Sequence, residues 1–253
     1  MKRIKYLILG VMVYLIFLVV LMPASVVLRF VTLPPQVKIN GVDGSIWHGS
    51  IDTVQAYGRQ AEQVEWQIHP LSLLTGALNL DVNVGNRNSA IYGKTNLTLT
   101  PSTVKVMDLM LQTDSQTVIG KARLPFRSEV AGEINLSVSE FAYGQPWCER
   151  LSGHLQLHNL EVNNQFGDFP FGSFRLGMDC DQGDVIVTTT EKDNQIGVSG
   201  RLWLKANAQV QLQAKIKPTN NMPANVRDNL NFLGQPDAQG AYPLTYSGRV
   251  PGL

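Results

Sequence analysis

Charge is scarce in this chain. Asp, Glu, Lys and Arg make up 16% of its 253 residues, against about 25% in an average globular protein. With 44% hydrophobic residues, the deficit does not signal disorder, which needs high charge and low hydrophobicity. Neither sign dominates, with 21 Lys and Arg against 20 Asp and Glu. Lys2, Arg3 and Lys5 lie within the first five residues, so the rest carries 18 basic against 20 acidic groups. A body of that balance has no general electrostatic footprint for nucleic acid. Two cysteines exclude a dense disulfide framework and any four-thiolate metal site. A G-x-S-x-G elbow, a P-loop, H-E-x-x-H and a spaced carboxylate pair are also missing. No catalytic, cofactor-binding or metal-binding residue is nominated, and a non-enzyme is expected.

One feature is present in excess. Tyr6–Leu28 runs 23 residues without a charge, and Tyr6–Met22 is apolar at every position except Gly10. At 1.5 Å per residue such a helix reaches roughly 34 Å, enough for a hydrocarbon core of about 30 Å. Lys2, Arg3 and Lys5 precede the run and only Arg29 follows closely. The positive-inside rule then puts the N-terminus in the cytoplasm. The competing reading is a cleaved signal peptide, whose apolar region runs about 7–15 residues. Here the run is longer, and cleavage after Ala24 or Ser25 would place Met22 or Pro23 where a small residue is required. The expected organisation is a cytoplasmic stub over 1–5, a membrane span over 6–28, a Pro34-Pro35 linker over 29–41 and an extracytoplasmic body over 42–253. In that oxidising setting a Cys148–Cys180 disulfide is the default, with two buried free thiols as the alternative.

The body reads as mainly β. Val64, Trp66 and Ile68 alternate with Glu65 and Gln67; Leu78, Leu80, Val82 and Val84 alternate with Asn79, Asp81 and Asn83. Similar pairs of faces recur at Ile134–Val138, Leu155–Leu157, Phe174–Met178 and Val210–Ile216. Period-two alternation with Gly, Asn, Asp and Pro between the runs predicts an antiparallel meander. Two short helices are expected, a turn at Pro70–Thr75 stopped by Gly76 and a helix over Ala224–Leu233 with Val226, Leu230 and Leu233 on one face. A soft seam is read near Gly144–Pro146. His154 and His158 share a strand face, and Asp179 and Asp181 flank Cys180, but the spacing is no recognised metal motif. A solvated face explains it, and His48 and His69 read as structural. The apolar strand face must meet another layer, close on itself, or stay open as a groove for lipid or a partner.

The short basic start, the span, Gly44-Ser45-Ile46-Trp47-His48-Gly49 and Trp66-Gln67-Ile68-His69-Pro70-Leu71 through Gly76 resemble the type II secretion system protein N family. The ending Leu233–Gly240 and Tyr242–Gly248 is similar to that family's as well, and wider likeness extends to AsmA-like envelope proteins. The resemblance implies a single-pass inner-membrane protein of a Gram-negative bacterium with a periplasmic body, an accessory of the export machine acting by protein–protein contact. Its partners would be other inner-membrane secretion components. The AsmA-like aspect implies a curved antiparallel sheet with an apolar concave face, hence the alternative of a periplasmic phospholipid-binding or transfer protein. No catalytic residues come with the family. Trp47 and Trp66 are expected to pack the sheet's entrance rather than touch a ligand, and together with Pro70 and Gly76 they are read as a structural motif.

Overall fold

The computed structural model describes residues 2–30, 32–119 and 127–249. The chain enters as helix α1 (Lys2–Val20), turns, and forms a short α2 (Ala24–Leu28) before the first strand. The helix expected over Tyr6–Leu28 is thus two helices. Pro23 divides them, because proline has no N–H and its ring clashes with the carbonyl four residues earlier. Lys5–Leu15 and Phe17–Leu21 are exposed, while the side chains of Lys2 and Arg3 lie outside the described residues. Among the described residues no helix is long and apolar enough to cross a membrane.

Beyond α2 the described residues form one thirteen-stranded sheet, with short helical turns in its connections, whose spatial order equals its sequence order. The strands are β1 (Val37–Gly44), β2 (His48–Ala56), β3 (Arg59–His69), β4 (Leu78–Val84), β5 (Ile91–Leu99), β6 (Val104–Asp114) and β7 (Glu129–Tyr143). They continue as β8 (Cys148–Asn164), β9 (Gly167–Asp181), β10 (Asp184–Thr189), β11 (Val198–Lys205), β12 (Gln209–Ile216) and β13 (Tyr242–Arg249). Each pairs antiparallel with the next, so the sheet is a meander with β1 and β13 as its two edges. Tight turns make this possible. Ala56 pairs with Arg59 and Asp181 with Asp184, leaving Tyr57-Gly58 and Gln182-Gly183 as two-residue loops. All four loop residues have positive φ, the hairpin geometry whose twist matches the flanking strands.

The alternation fixes the register, because a one-residue slip would turn every apolar side chain outward. Val42, Ile51, Val64, Val84, Gly93, Leu111, Leu136, Leu155 and Leu176 stand opposite one another from β1 to β9. A second row runs through Leu109, Val138, Gly153, Met178, Val187, Leu202 and Leu212 from β6 to β12. No seam interrupts the sheet at Gly144–Pro146, where the chain turns between the paired strands β7 and β8.

Little of this face is fully buried. The compact core sits at one corner, where Ile196 and Ile216 meet Met222, Val226 and Leu230 of the β12–β13 connection, with Phe169, Phe171 and Tyr242 around them. That connection forms α4 (Ala224–Asp228) and a 3₁₀ turn, Leu230–Leu233. The expected continuous helix changes pitch after Asn229. Three residues per turn instead of 3.6 carry Leu233 off the packed face, and it is exposed. A fourth helix, α3 (Ser115–Ile119), follows β6.

Candidate functional site

Pro23 leaves the Val19 carbonyl without its helical donor, since that oxygen would have accepted from residue 23. The Trp47 indole Nε1 donates to this oxygen at 3.0 Å, and the Met22 N–H reaches it at 3.4 Å. Beside them the Ile46 N–H donates to the Met22 carbonyl at 3.1 Å, and Pro23 bridges to Ser45. The β1–β2 turn is itself stiffened by Ser45 Oγ, which accepts from the N–H groups of Trp47 and His48 at 3.3 and 3.2 Å. Trp66 holds the same turn from the sheet side, its Nε1 donating to the Ile46 carbonyl at 3.0 Å. Its ring lies against Gly49, where an added Cβ would stand 2.4 Å from the ring's Cζ2. One indole therefore ties the turn to the helix and the other ties it to the sheet.

Pro70 and Gly76 bracket the adjoining structure. Pro70 starts a 3₁₀ turn, Pro70–Thr75, and Gly76 ends it in the left-handed conformation, φ 75°, which glycine adopts without a Cβ clash. The turn follows β3 directly, and the Ile68 N–H donates to the Trp47 carbonyl at 2.7 Å. Trp47, Trp66, Pro70 and Gly76 thus come together at one end of the sheet, beside the end of α1.

Cys148 and Cys180 form a disulfide joining the start of β8 to the end of β9. It lies at the same end of the sheet, farther across. Trp147 extends this corner by donating its Nε1 to the Lys205 carbonyl at 2.7 Å, and its backbone N–H reaches the Gly183 carbonyl at 3.2 Å. Sequence reading gave Trp147 no role, because its acceptor lies 58 residues away on β11.

The histidines do not converge. His69 Nε2 lies 2.7 Å from Asp81 Oδ2, and Asn96 donates to the same carboxylate's Oδ1 at 3.1 Å. His154 and His158 stand on β8 opposite Ser137 and Glu133 of β7. Among the described residues no three His, Cys, Asp or Glu side chains group as metal ligands. Two carboxyls are held below their ordinary pKa. Thr190, through its side chain and then its backbone N–H, stabilises charged Asp193. Asp237 accepts from the N–H groups of Ala241 and Gln239. Both are solvent-facing turn residues whose bonds close local loops.

What remains is the apolar face. Between α2 at the β1 edge and α4 at the β9 corner its side chains are mostly half-buried. Comparison with proteins of similar sequence gives this arrangement its context. The family model described as "Type II secretion system (T2SS), protein N" matches residues 35–245. The "Type II secretion system protein N" of Aeromonas hydrophila is 32% identical over 251 residues, with 94% of each chain covered. The protein of that name from Vibrio cholerae is 27% identical over 92% of each chain, and that from Pectobacterium carotovorum 20% identical over 95% of this chain and 94% of its own. No solved structure matches.

Proposed function

We propose that this chain, which belongs to the type II secretion system protein N family, is an inner-membrane accessory of that secretion apparatus. The family match across the sheet, residues 35–245, is the observation that carries the reading. The protein works by contact with other secretion components and not by catalysis. The uncharged run Tyr6–Leu28 with Lys2, Arg3 and Lys5 before it supports an anchor with a cytoplasmic N-terminus and a periplasmic sheet. The outward-facing apolar side chains of α1 support it too. In this arrangement the double-indole clamp transmits the position of the anchor to the sheet, which then presents its long edges and open face to partners.

A second reading is favoured by the sparsely covered apolar face, which suits acyl chains of a phospholipid. Curvature of the sheet around that face is supported by two bonds that bridge several strands. Trp147 reaches from the β7–β8 turn to β11, and the Arg59 guanidinium of β3 donates Nε to the Val118 carbonyl of α3 at 2.8 Å.

Crosslinking in living cells, gentle extraction of the full-length chain and mass spectrometry of bound proteins and lipids test both. Secretion-system subunits without stoichiometric lipid are expected. Bound phospholipid without those subunits would overturn the accessory reading and put the lipid groove in its place. A Leu136→Asp chain that folds but loses lipid would then locate the groove.

A further inference from the structure

The loop that leaves β3 has its polarity inverted. Ser72 points inward, its Oγ donating to the His69 carbonyl at 2.6 Å and accepting from the Asn79 N–H at 3.0 Å. Thr75 Oγ1 donates to the Ser72 carbonyl at 2.7 Å. The N–H groups of Gly76 and Ala77 close on Leu73 and Ser72 at 3.1 and 3.2 Å. The three leucines point out instead: Leu71 is 78%, Leu73 45% and Leu74 84% exposed. A loop that satisfies its polar groups internally and displays aliphatic side chains is mismatched to water. It suits a medium that offers no hydrogen bonds.

Its place in the fold says which medium. Residues 70–77 lie at the sheet end that carries the β1–β2 turn, and Ile68, two residues earlier, is bonded to Trp47. Trp47 is in turn bonded to Val19, in the last turn of α1. The leucines therefore sit beside the point where the helix leaves the sheet. Apolar exposure falls away across the same end. Leu99 and Val104 flank the next turn at 36% and 38% exposed, and that turn is Thr100-Pro101-Ser102-Thr103. Farther along, the Gln182-Gly183 and Ala206–Ala208 turns expose no large apolar side chain, and among the described residues of that end only Tyr143 exceeds half, at 51%. The loop carries no charge, so no electrostatic pairing with a protein surface is built into it.

We infer that Leu71, Leu73 and Leu74 form a second membrane contact, inserting into the outer half of the bilayer beside α1. This rests on the reading of α1 as a membrane anchor. A helix alone would leave the sheet free to tilt about one tether; a second contact at the neighbouring hairpin fixes which way the sheet and its apolar face stand over the membrane. Both contacts are tied to Trp47, one through its indole and the other, via Ile68, through its backbone carbonyl, and so act as one foot.

The test uses the full-length chain in phosphatidylethanolamine–phosphatidylglycerol vesicles, with nitroxides placed singly at Leu9→Cys, Leu74→Cys and Ala206→Cys. The native cysteines are paired and do not label. Accessibility to oxygen is compared with accessibility to a water-soluble nickel chelate. The expected log ratio is positive at residues 9 and 74 and negative at residue 206. A positive ratio at 9 with a negative one at 74 overturns the loop contact and leaves the anchor standing. Negative ratios at both overturn the anchor and the loop contact together. A probe at 74 shielded from oxygen and nickel alike refutes the lipid contact in favour of a protein covering the leucines.

Discussion

Replacing Gly49 by alanine tests the clamp at its tightest point. The new Cβ would stand 2.4 Å from Trp66 Cζ2, 2.5 Å from the Asp43 carbonyl oxygen and 2.7 Å from Trp66 Cη2. Contacts below 3.0 Å are essentially never seen for a real Cβ, so the ring or the β1 backbone must move. Overpacking of this kind costs about 1–3 kcal/mol. If the ring swings away, its bond to the Ile46 carbonyl goes too, for about 1 kcal/mol more. The sum, about 2–4 kcal/mol, is roughly one to three orders of magnitude in the folding equilibrium. Denaturant titration of the full-length chain in detergent micelles, followed by far-ultraviolet circular dichroism, reads it. Gly10→Ala is the control, because no atom lies within 4 Å of a Cβ there. Trp66→Ala supplies the second arm: the Gly49 penalty should shrink in that background by the share the ring carries. A Gly49→Ala protein that unfolds at the wild-type midpoint refutes the close packing on which the clamp depends.

Three further outcomes follow from the same geometry. Trp47→Phe keeps an aromatic ring but removes the donor to Val19, so exchange of backbone amides over residues 19–22 should quicken by the equivalent of about 1 kcal/mol; unchanged protection there refutes the tie. Replacing both Cys148 and Cys180 by serine frees a chain segment of sequence separation 32 and should lower stability by about 4 kcal/mol on the loop-entropy account. Reductant should have the same effect on wild type and none on the variant; a wild-type midpoint indifferent to reductant refutes it. For Asp237 the folded pKa lies below the unfolded one, so its contribution is present above the unfolded value of about 3.9 and is lost as pH falls through the lower folded value. Asp237→Asn should therefore flatten the acid limb of the stability curve below pH about 4, and an identical limb in both proteins contradicts the assignment.

The strands were legible because alternation is a direct print of the pleat. Every strand of the meander that buries one face must place apolar residues two apart, and Leu78–Val84 or Ile134–Val138 can do nothing else without exposing that face. The 3₁₀ turn at Pro70–Thr75 was legible for a local reason too, since proline opens it and glycine closes it. The Ala224–Leu233 segment was half legible. Its stripe at Val226 and Leu230 is local, but the segment packs on Ile196 and Ile216, contributed by the β10–β11 connection and by β12, and the change of pitch after Asn229 has no local sequence signal.

The clamp was illegible because its logic is distributed. The sequence reads Pro23 as part of one continuous span, and Trp47 as packing at the sheet's entrance. Only the fold shows that one makes the need and the other meets it. Pro23 strips a donor from the Val19 carbonyl, and the free indole N–H that can replace it arrives 28 residues later. Without Trp47 the Val19 carbonyl keeps only the longer bond from the Met22 N–H; together Pro23 and Trp47 make a bend that is also a joint. The same reasoning explains why the leucines of the following loop could not be placed from sequence. A short apolar turn between strands normally folds inward onto the core. Here Ser72 uses the inward position for its hydrogen bonds, and the three leucines are left exposed.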